Sequence, residues 1–354
     1  HSIRCEEPVF GLCVLGFVHP KRIWRKQGAL PGHALVISKP IGTGVLLSKG
    51  CEQGVNLAVN QMRKTNRQAA NGLSNLHNAL RANSPIVNVI GDHASFHRQL
   101  DAPLTSDIEG AARPFSHWVR TSAGADSLAL DAVAAVAAAR SAPGRIASLI
   151  LPADAAWNEV RVAPPAASSI ELATAPARPA DAAIDAAATL LKSGGTTALI
   201  LAGQATRQAP LEFAGMIGAT CGARLYSQTL TARISRGAGR VAIERIPYPI
   251  DQAIDLLKDV ENIILVGAKA PVGFFAYPGK PGRLSQPETR IHELVGAEGD
   301  IAYALEALAD AVGAKRTDLV KVDLDLPARP SGSISPEKIG QLLAATLPAN
   351  AIVI

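Results

Sequence analysis

Short apolar runs bounded by Pro and Gly alternate with stretches of helical spacing along most of this chain. Ile86, Val87, Val89 and Ile90 form a β-branched run between Pro85 and Gly91, which predicts a buried strand. A second strand is predicted over Ile146 to Leu151, between Pro143-Gly144 and Pro152-Ala-Asp154. Between the two, Ser122 to Arg140 carries Leu128, Val133, Val136 and Ala137 on one face. That is a helix, which Asp126 or Ser127 would cap. Phe115, Trp118 and Val119, after Pro114, read as an anchor back onto the core. Upstream, residues 51 to 66 set Val55, Ala58, Val59 and Met62 at helical spacing, with Glu52 at the start, where the helix dipole favours an acid. Asn71 to Arg81 reads as a further helix, with Leu73, Leu76, His77 and Leu80 on or near one face.

Residues 180 to 320 keep the alternation. Helices are predicted over 182–193, 209–221, 251–258 and 300–314, and strands over 198–201, 224–227, 262–266 and 290–294. A last helix is predicted over 336–346. The expected fold class is α/β, with two doubly wound parallel-sheet domains, the second Rossmann-like. Residues 1–50 show no long amphipathic helix and recurring Pro and Gly, and are assigned to no domain. The expected division is then a first domain over 51–162, a linker over 163–178, a second domain over 179–325 and a further linker over 326–354. Ala163-Pro-Pro-Ala-Ala-Ser-Ser169 marks the first linker.

Composition narrows the function classes. At 354 residues, 48% hydrophobic and 18% charged, the chain has the length for two or three cores and the balance of a soluble globular protein. The net charge is +5, with Lys21, Arg22, Arg25 and Lys26 among many basic residues in the first fifth. No aromatic interleaving or known motif accompanies them, so no nucleic-acid partner is expected. Cys5, Cys13, Cys51 and Cys221 match no zinc or CxxC spacing. Free thiols and a cytoplasmic location follow. The apolar run Phe10 to Val18 is too short to cross a bilayer and its basic residues follow it, so neither a membrane span nor a signal peptide is expected.

The chemistry gathers after the first predicted strand. Gly91-Asp92-His93 ends that strand, so polar side chains emerge at its C-terminal edge, where open α/β sheets usually bind ligands. The aperiodic segment Ala94 to Asp107 adds His97, Arg98, Asp101 and Asp107. His93 or His97 could transfer protons near neutral pH, or hydrogen-bond within the loop. No carboxylate or Cys completes a metal set with them, so no metal ligands are assigned. Gly203 and Gly267 mark strand ends, but neither lies in a full GxGxxG. Arg207 reads as a surface residue or an anion contact.

The Pro85-Ile-Val87 strand, Gly91-Asp92-His93, the loop Asp101-Ala-Pro-Leu-Thr-Ser-Asp-Ile108, and Arg113-Pro114 ahead of Ser116-His117-Trp118 resemble one family. It is the thiamine-diphosphate-dependent enzymes of the acetolactate synthase and benzoylformate decarboxylase group, in particular acetolactate synthase-like large subunits. Leu201-Ala-Gly-Gln-Ala-Thr-Arg207 and Val266-Gly-Ala-Lys-Ala-Pro271 extend the resemblance into the second domain.

The resemblance implies a pyrimidine-binding domain, here incomplete, followed by a central domain. It implies thiamine diphosphate with Mg²⁺, and a small 2-oxo acid such as pyruvate that is decarboxylated and joined to a second carbonyl compound. It places such a protein in branched-chain amino acid biosynthesis as a homodimer or tetramer. Cys51-Glu52-Gln53-Gly54 matches the segment whose Glu hydrogen-bonds N1′ of the aminopyrimidine, which makes Glu52 both catalytic and cofactor-binding. Asn71 matches the Asn that closes the cofactor loop, and His93 falls on the substrate side. FAD in the central domain stays open.

The family's central strand and Gly-Pro-Gly loop have no counterpart between Arg67 and Asn71. Its third domain, whose Gly-Asp-Gly and downstream Asn hold Mg²⁺ and the diphosphate, has none either. The expectation is a chain inactive alone. The alternatives are a non-catalytic partner subunit and a nucleotide-binding protein.

Overall fold

The computed structural model describes residues 35–38, 75–161, 175–348 and 351. The chain divides into two compact units, His1–Ala177 and Arg178–Ile354. The helix expected over 51–66 and the linker stretch Ala163 to Ser169 lie outside the described residues.

The first unit is built on four parallel strands: β1 (Leu35–Ser38), β2 (Ile86–Asp92), β3 (Trp118–Thr121) and β4 (Ile146–Pro152). Their order is β1-β2-β4-β3. β2 and β4 are central, which is why they read as near-continuous apolar runs. Ile86, Val87, Ile90, Ile146, Leu149 and Ile150 are all buried. Three helices follow the strands: α1 (Ile108–Ala112), α2 (Ala125–Arg140) and α3 (Ala153–Trp157). Ala135 and Ala139 of α2 pack without exposure against Val87, Ala147 and Leu149. Small side chains there let the helix approach the sheet closely. The polar residues of this core are satisfied in pairs. Asn88 Nδ2 donates to Ser148 Oγ at 3.2 Å, and the Ser148 and Ser116 hydroxyls lie 2.7 Å apart.

Three local expectations change. Residues before position 50 do contribute an element, because β1 pairs in parallel with β2 from Leu35↔Ile86 to Ser38↔Val89. The supposed anchor at Trp118-Val119 is an edge strand, paired with Ala147 and Ser148 of β4. The two candidate caps of α2 narrow to Ser127, which acts from the N3 position while Gly124 is the N-cap residue. Ser127 Oγ accepts the Gly124 N–H at 3.3 Å, while Asp126 Oδ1 accepts the Arg161 N–H at 2.6 Å.

The second unit has five parallel strands: β5 (Thr197–Leu201), β6 (Arg224–Ser227), β7 (Glu244–Arg245), β8 (Asn262–Val266) and β9 (Arg290–Val295). The order is β7-β6-β5-β8-β9. Five helices accompany them: α4 (Asp181–Lys192), α5 (Gln208–Cys221), α6 (Ile250–Leu257), α7 (Ile301–Val312) and α8 (Pro336–Thr346). Alternation along β5 and β8 sends residues to two cores. Leu199, Leu201, Ile264 and Val266 face α4, α5 and α7, whereas Ala198, Ile200, Ile263 and Leu265 face α6. Both faces are covered, as the doubly wound expectation requires. Numbered within the unit, the order runs 3-2-1-4-5. The strand order reverses between β5 and β8, the crevice that binds ligands in such sheets. α8 packs no buried residue.

Candidate functional site

β2 and β4 stay paired to their last residues, Asp92 opposite Pro152. The turn after β2 and the start of α3 after β4 therefore meet at the C-terminal edge of the sheet. Ala94, in the turn after β2, and Ala155, in α3 directly after β4, are both buried there. The Asp92 side chain is only 8% exposed, with Oδ2 3.5 Å from Arg98 Nη1. Asp92 Oδ1 accepts the His93 N–H at 2.7 Å. Across the edge, Asp154 takes both donors of Ser95. Its Oδ1 accepts the Ser95 N–H at 2.9 Å and its Oδ2 accepts the Ser95 hydroxyl. Those two bonds, with Arg98 adding a smaller electrostatic contribution, hold the Asp154 carboxyl below the usual carboxylate range.

The latch fixes the turn that carries both histidines. The His93 and His97 rings lie 5.6 Å apart between centroids, tilted by 46°. Phe96, Leu100 and Leu104 are exposed along the same segment. At the end of β3, Thr121 Oγ1 donates to Glu109 Oε1 at 2.7 Å, and Arg113 pairs with Glu109 at 2.8 Å. Beside this lies an open cleft of about 510 Å³, lined by Gly124, Ser127, Asn158, Glu159 and Arg161 among others. The turn after β2 therefore gathers two imidazoles, a buried carboxylate and a guanidinium. It can accept, hold and pass protons. Among the described residues no three His, Cys, Asp or Glu side chains group as metal ligands.

Of the residues singled out from sequence, His93 sits in this cluster, with His97 and Arg98 beside it. Glu52 and Asn71 lie outside the described residues. Sequence reasoning missed the roles of Asp154 and Ser95. The signal was present in Pro152-Ala-Asp154, a polar residue just past a buried strand, as in Gly91-Asp92-His93. Among the described residues, no helix is long and apolar enough to cross a membrane.

No protein-family model matches the chain. It is 38% identical over 329 residues to the "Putative acetolactate synthase large subunit IlvX" of Mycobacterium tuberculosis, a match covering 92% of this chain and 58% of that protein. A short stretch of 45 residues, 13% of each chain, is 51% identical to the selenide, water dikinase of Myxococcus xanthus. Among solved structures, the thiamine diphosphate-dependent 4-hydroxybenzoylformate decarboxylase of Rhodococcus jostii RHA1 superposes with a TM-score of 0.62. That likeness, at 19% identity, covers 78% of this chain and 55% of the decarboxylase, and it establishes a shared fold. The chain thus spans little more than half the length of the relatives it matches along most of its own length. Along most of its length the chain is thus similar to a protein described as an acetolactate synthase large subunit, and it shares its fold with a thiamine diphosphate-dependent decarboxylase.

Proposed function

We propose that this chain supplies the pyrimidine-binding and central parts of a thiamine-diphosphate-dependent enzyme that decarboxylates a small 2-oxo acid or joins it to a second carbonyl compound. The single observation that carries this reading is the 38% identity along 92% of the chain. The polar edge of the first unit supports it, because it offers proton-handling groups where α/β sheets bind ligands. When bound, thiamine diphosphate supplies a centre that stabilises a carbanion. In this reading Glu52 hydrogen-bonds the aminopyrimidine ring and Asn71 contacts the cofactor.

The described residues hold no carboxylate set for Mg²⁺ and a diphosphate. What these residues do is orient and exchange protons. Asp92 and Arg98 seat the turn, and the His93 imidazole takes or returns a proton on the substrate side. The working form is an oligomer of the cytoplasm with its site shared between copies, acting in branched-chain amino acid biosynthesis.

Calorimetric titration of thiamine diphosphate with Mg²⁺ into the full chain, repeated with Glu52→Gln, tests the reading. Saturable binding that Glu52→Gln weakens is the expected result. Absence of saturable binding, or binding unchanged in Glu52→Gln, would overturn it.

A further inference from the structure

The second unit exposes a run of aromatic rings. Tyr248 and Phe274 lie 5.4 Å apart between ring centroids, Phe274 and Phe275 4.6 Å, and Phe275 and Tyr277 6.5 Å. Each of these residues is about half exposed. Aromatic residues make up only 4% of the chain, yet two of its four Tyr and two of its seven Phe stand on this one patch. Contiguous exposed aromatic surface marks an interface, where Tyr and Phe are enriched. Three of the rings sit on a hairpin. It is closed by the Gly273 N–H, which donates to the Gly282 carbonyl at 2.8 Å, and by the Leu284 N–H, which donates to the Pro271 carbonyl at 3.2 Å. The charges around it are basic. Lys280 is held by Asp251. Lys269, ahead of the hairpin, and Arg283, on its return arm, take part in no ion pair among the described residues.

A second exposed apolar strip lies between α7 and α8. Val320, Val322, Leu324 and Leu326 alternate with Lys321, Asp323 and Asp325, the period of an extended segment with one apolar side. All seven are exposed, Leu324 at 71% and Leu326 at 63%. Val322 ties the strip to the unit, its N–H donating to the Arg240 carbonyl and its carbonyl accepting the Gly239 N–H, each at 2.8 Å. Beyond it, Asp323 to Leu326 form no hydrogen bond to other backbone among the described residues, so they stand as an unpaired edge. Lys321 pairs with Glu212 at 2.7 Å. That leaves Asp323 and Asp325 as the charges of the strip outside any ion pair among the described residues.

The strip is apolar with acids, and the patch is aromatic with bases. The strip leaves the unit from Leu319, which packs against the core of the α5 face. The hairpin lies against Ile250 in the core of the α6 face, where a Cβ on Gly273 would sit 3.2 Å from Ile250 Cδ1. The two surfaces are thus on opposite faces of the sheet and meet only between copies.

We propose that a second copy of this chain docks on the aromatic patch, with Leu324 and Leu326 of its strip over the rings and Asp323 and Asp325 meeting Lys269 and Arg283. Opposite charges at the rim fix the register. Used reciprocally, the two surfaces close a two-fold dimer. Neither surface contains a residue assigned to thiamine chemistry, so the proposal is independent of that reading.

The test is sedimentation velocity of the full chain over a range of concentrations. Phe275→Ser, Leu324→Ser, Arg283→Glu and Asp325→Arg are run beside it, with thermal melting as the check on folding. All four side chains are exposed, so the substitutions leave the cores intact. Phe275→Ser and Leu324→Ser should each halve the mass of the assembly at a fixed concentration. Halving is expected from a dimer or a tetramer alike, because any other interface is left in place. Each charge reversal should weaken association about tenfold, and both reversals in one chain should restore it. A chain monomeric at every concentration, a mass that neither Phe275→Ser nor Leu324→Ser reduces, or a combined reversal no stronger than the single ones would overturn the proposal.

Discussion

Gly267→Ala separates two costs at the point where β8 leaves the central sheet. Gly267 has φ +61°, in the left-handed region that side chains rarely adopt. A Cβ there would lie 2.6 Å from Ile301 Cδ1 and 3.1 Å from the Ala202 carbonyl oxygen. Gly203 is the control, with φ +56° and nothing within 4 Å of a Cβ. Gly203→Ala should then carry the backbone cost alone, about 1 to 2 kcal/mol. Gly267→Ala adds overpacking of a filled core, about 1 to 3 kcal/mol more. Ile301→Val removes the methyl nearest the new Cβ and costs about 1 kcal/mol by itself. The double variant should therefore be less damaged than the sum of the singles, by about 1 kcal/mol. Urea unfolding followed by tyrosine signals reads the second unit, because Tyr226, Tyr248, Tyr277 and Tyr303 all lie there. Trp24, Trp118 and Trp157 lie in the first unit and serve as the internal control. Equal losses in Gly267→Ala and Gly203→Ala, or strict additivity with Ile301→Val, would refute the account.

Three further outcomes are expected in the first unit. Asp154→Ala should speed hydrogen exchange at the Ser95 amide and broaden the His93 and His97 ring signals, whereas Asp154→Asn, which keeps an acceptor, should do so less. The Asp154 carboxyl is held low in the folded state, so its contribution is present above the usual carboxylate value and lost as pH falls through the folded one. His117 behaves in the opposite chemical sense but shares the pH direction. Burial, then Arg145, lowers its folded value, and its Nδ1 accepts the Ile146 N–H at 3.3 Å. Protonation therefore favours unfolding, and melting should fall from pH 7.5 to 5 more steeply than in His117→Gln. Arg120→Ala should cost about 1 to 2 kcal/mol, because it strands the Asp131 carboxylate, 3.0 Å away and 9% exposed, behind a half-exposed partner. Arg120→Ala with Asp131→Ala should cost less than the two separately, and an additive result in chemical unfolding would refute that coupling.

The elements legible in the sequence are those whose surroundings are uniform. β4, β5 and β8 are covered on both faces, so each reads as an unbroken apolar run, and the structure places them within a residue of expectation. β3 and β7 are edges. Trp118-Val-Arg-Thr121 is only half-buried and Glu244-Arg245 exposed, so neither face leaves a periodic trace. β1, at the other edge of its sheet, has a further reason: a four-residue strand between Pro31-Gly32 and Pro40 looks like loop sequence until β2 supplies its ladder.

Polar residues at the sheet edges divide in the same way. His93 was findable because it directly follows its own strand. Its positioning depends on Asp154, some 60 residues on, which only the β2–β4 register brings to Ser95. Arg207 is the sharper case, since a helix-start arginine in sequence is indistinguishable from a surface residue. In the fold its Nη1 is buried without a hydrogen-bond partner among the protein atoms, which no local pattern at Arg207 announces. Local chemistry can therefore be read one residue at a time. Whether a charge has already been satisfied depends on sheet order, and sheet order is set by contacts between segments that no local pattern encodes.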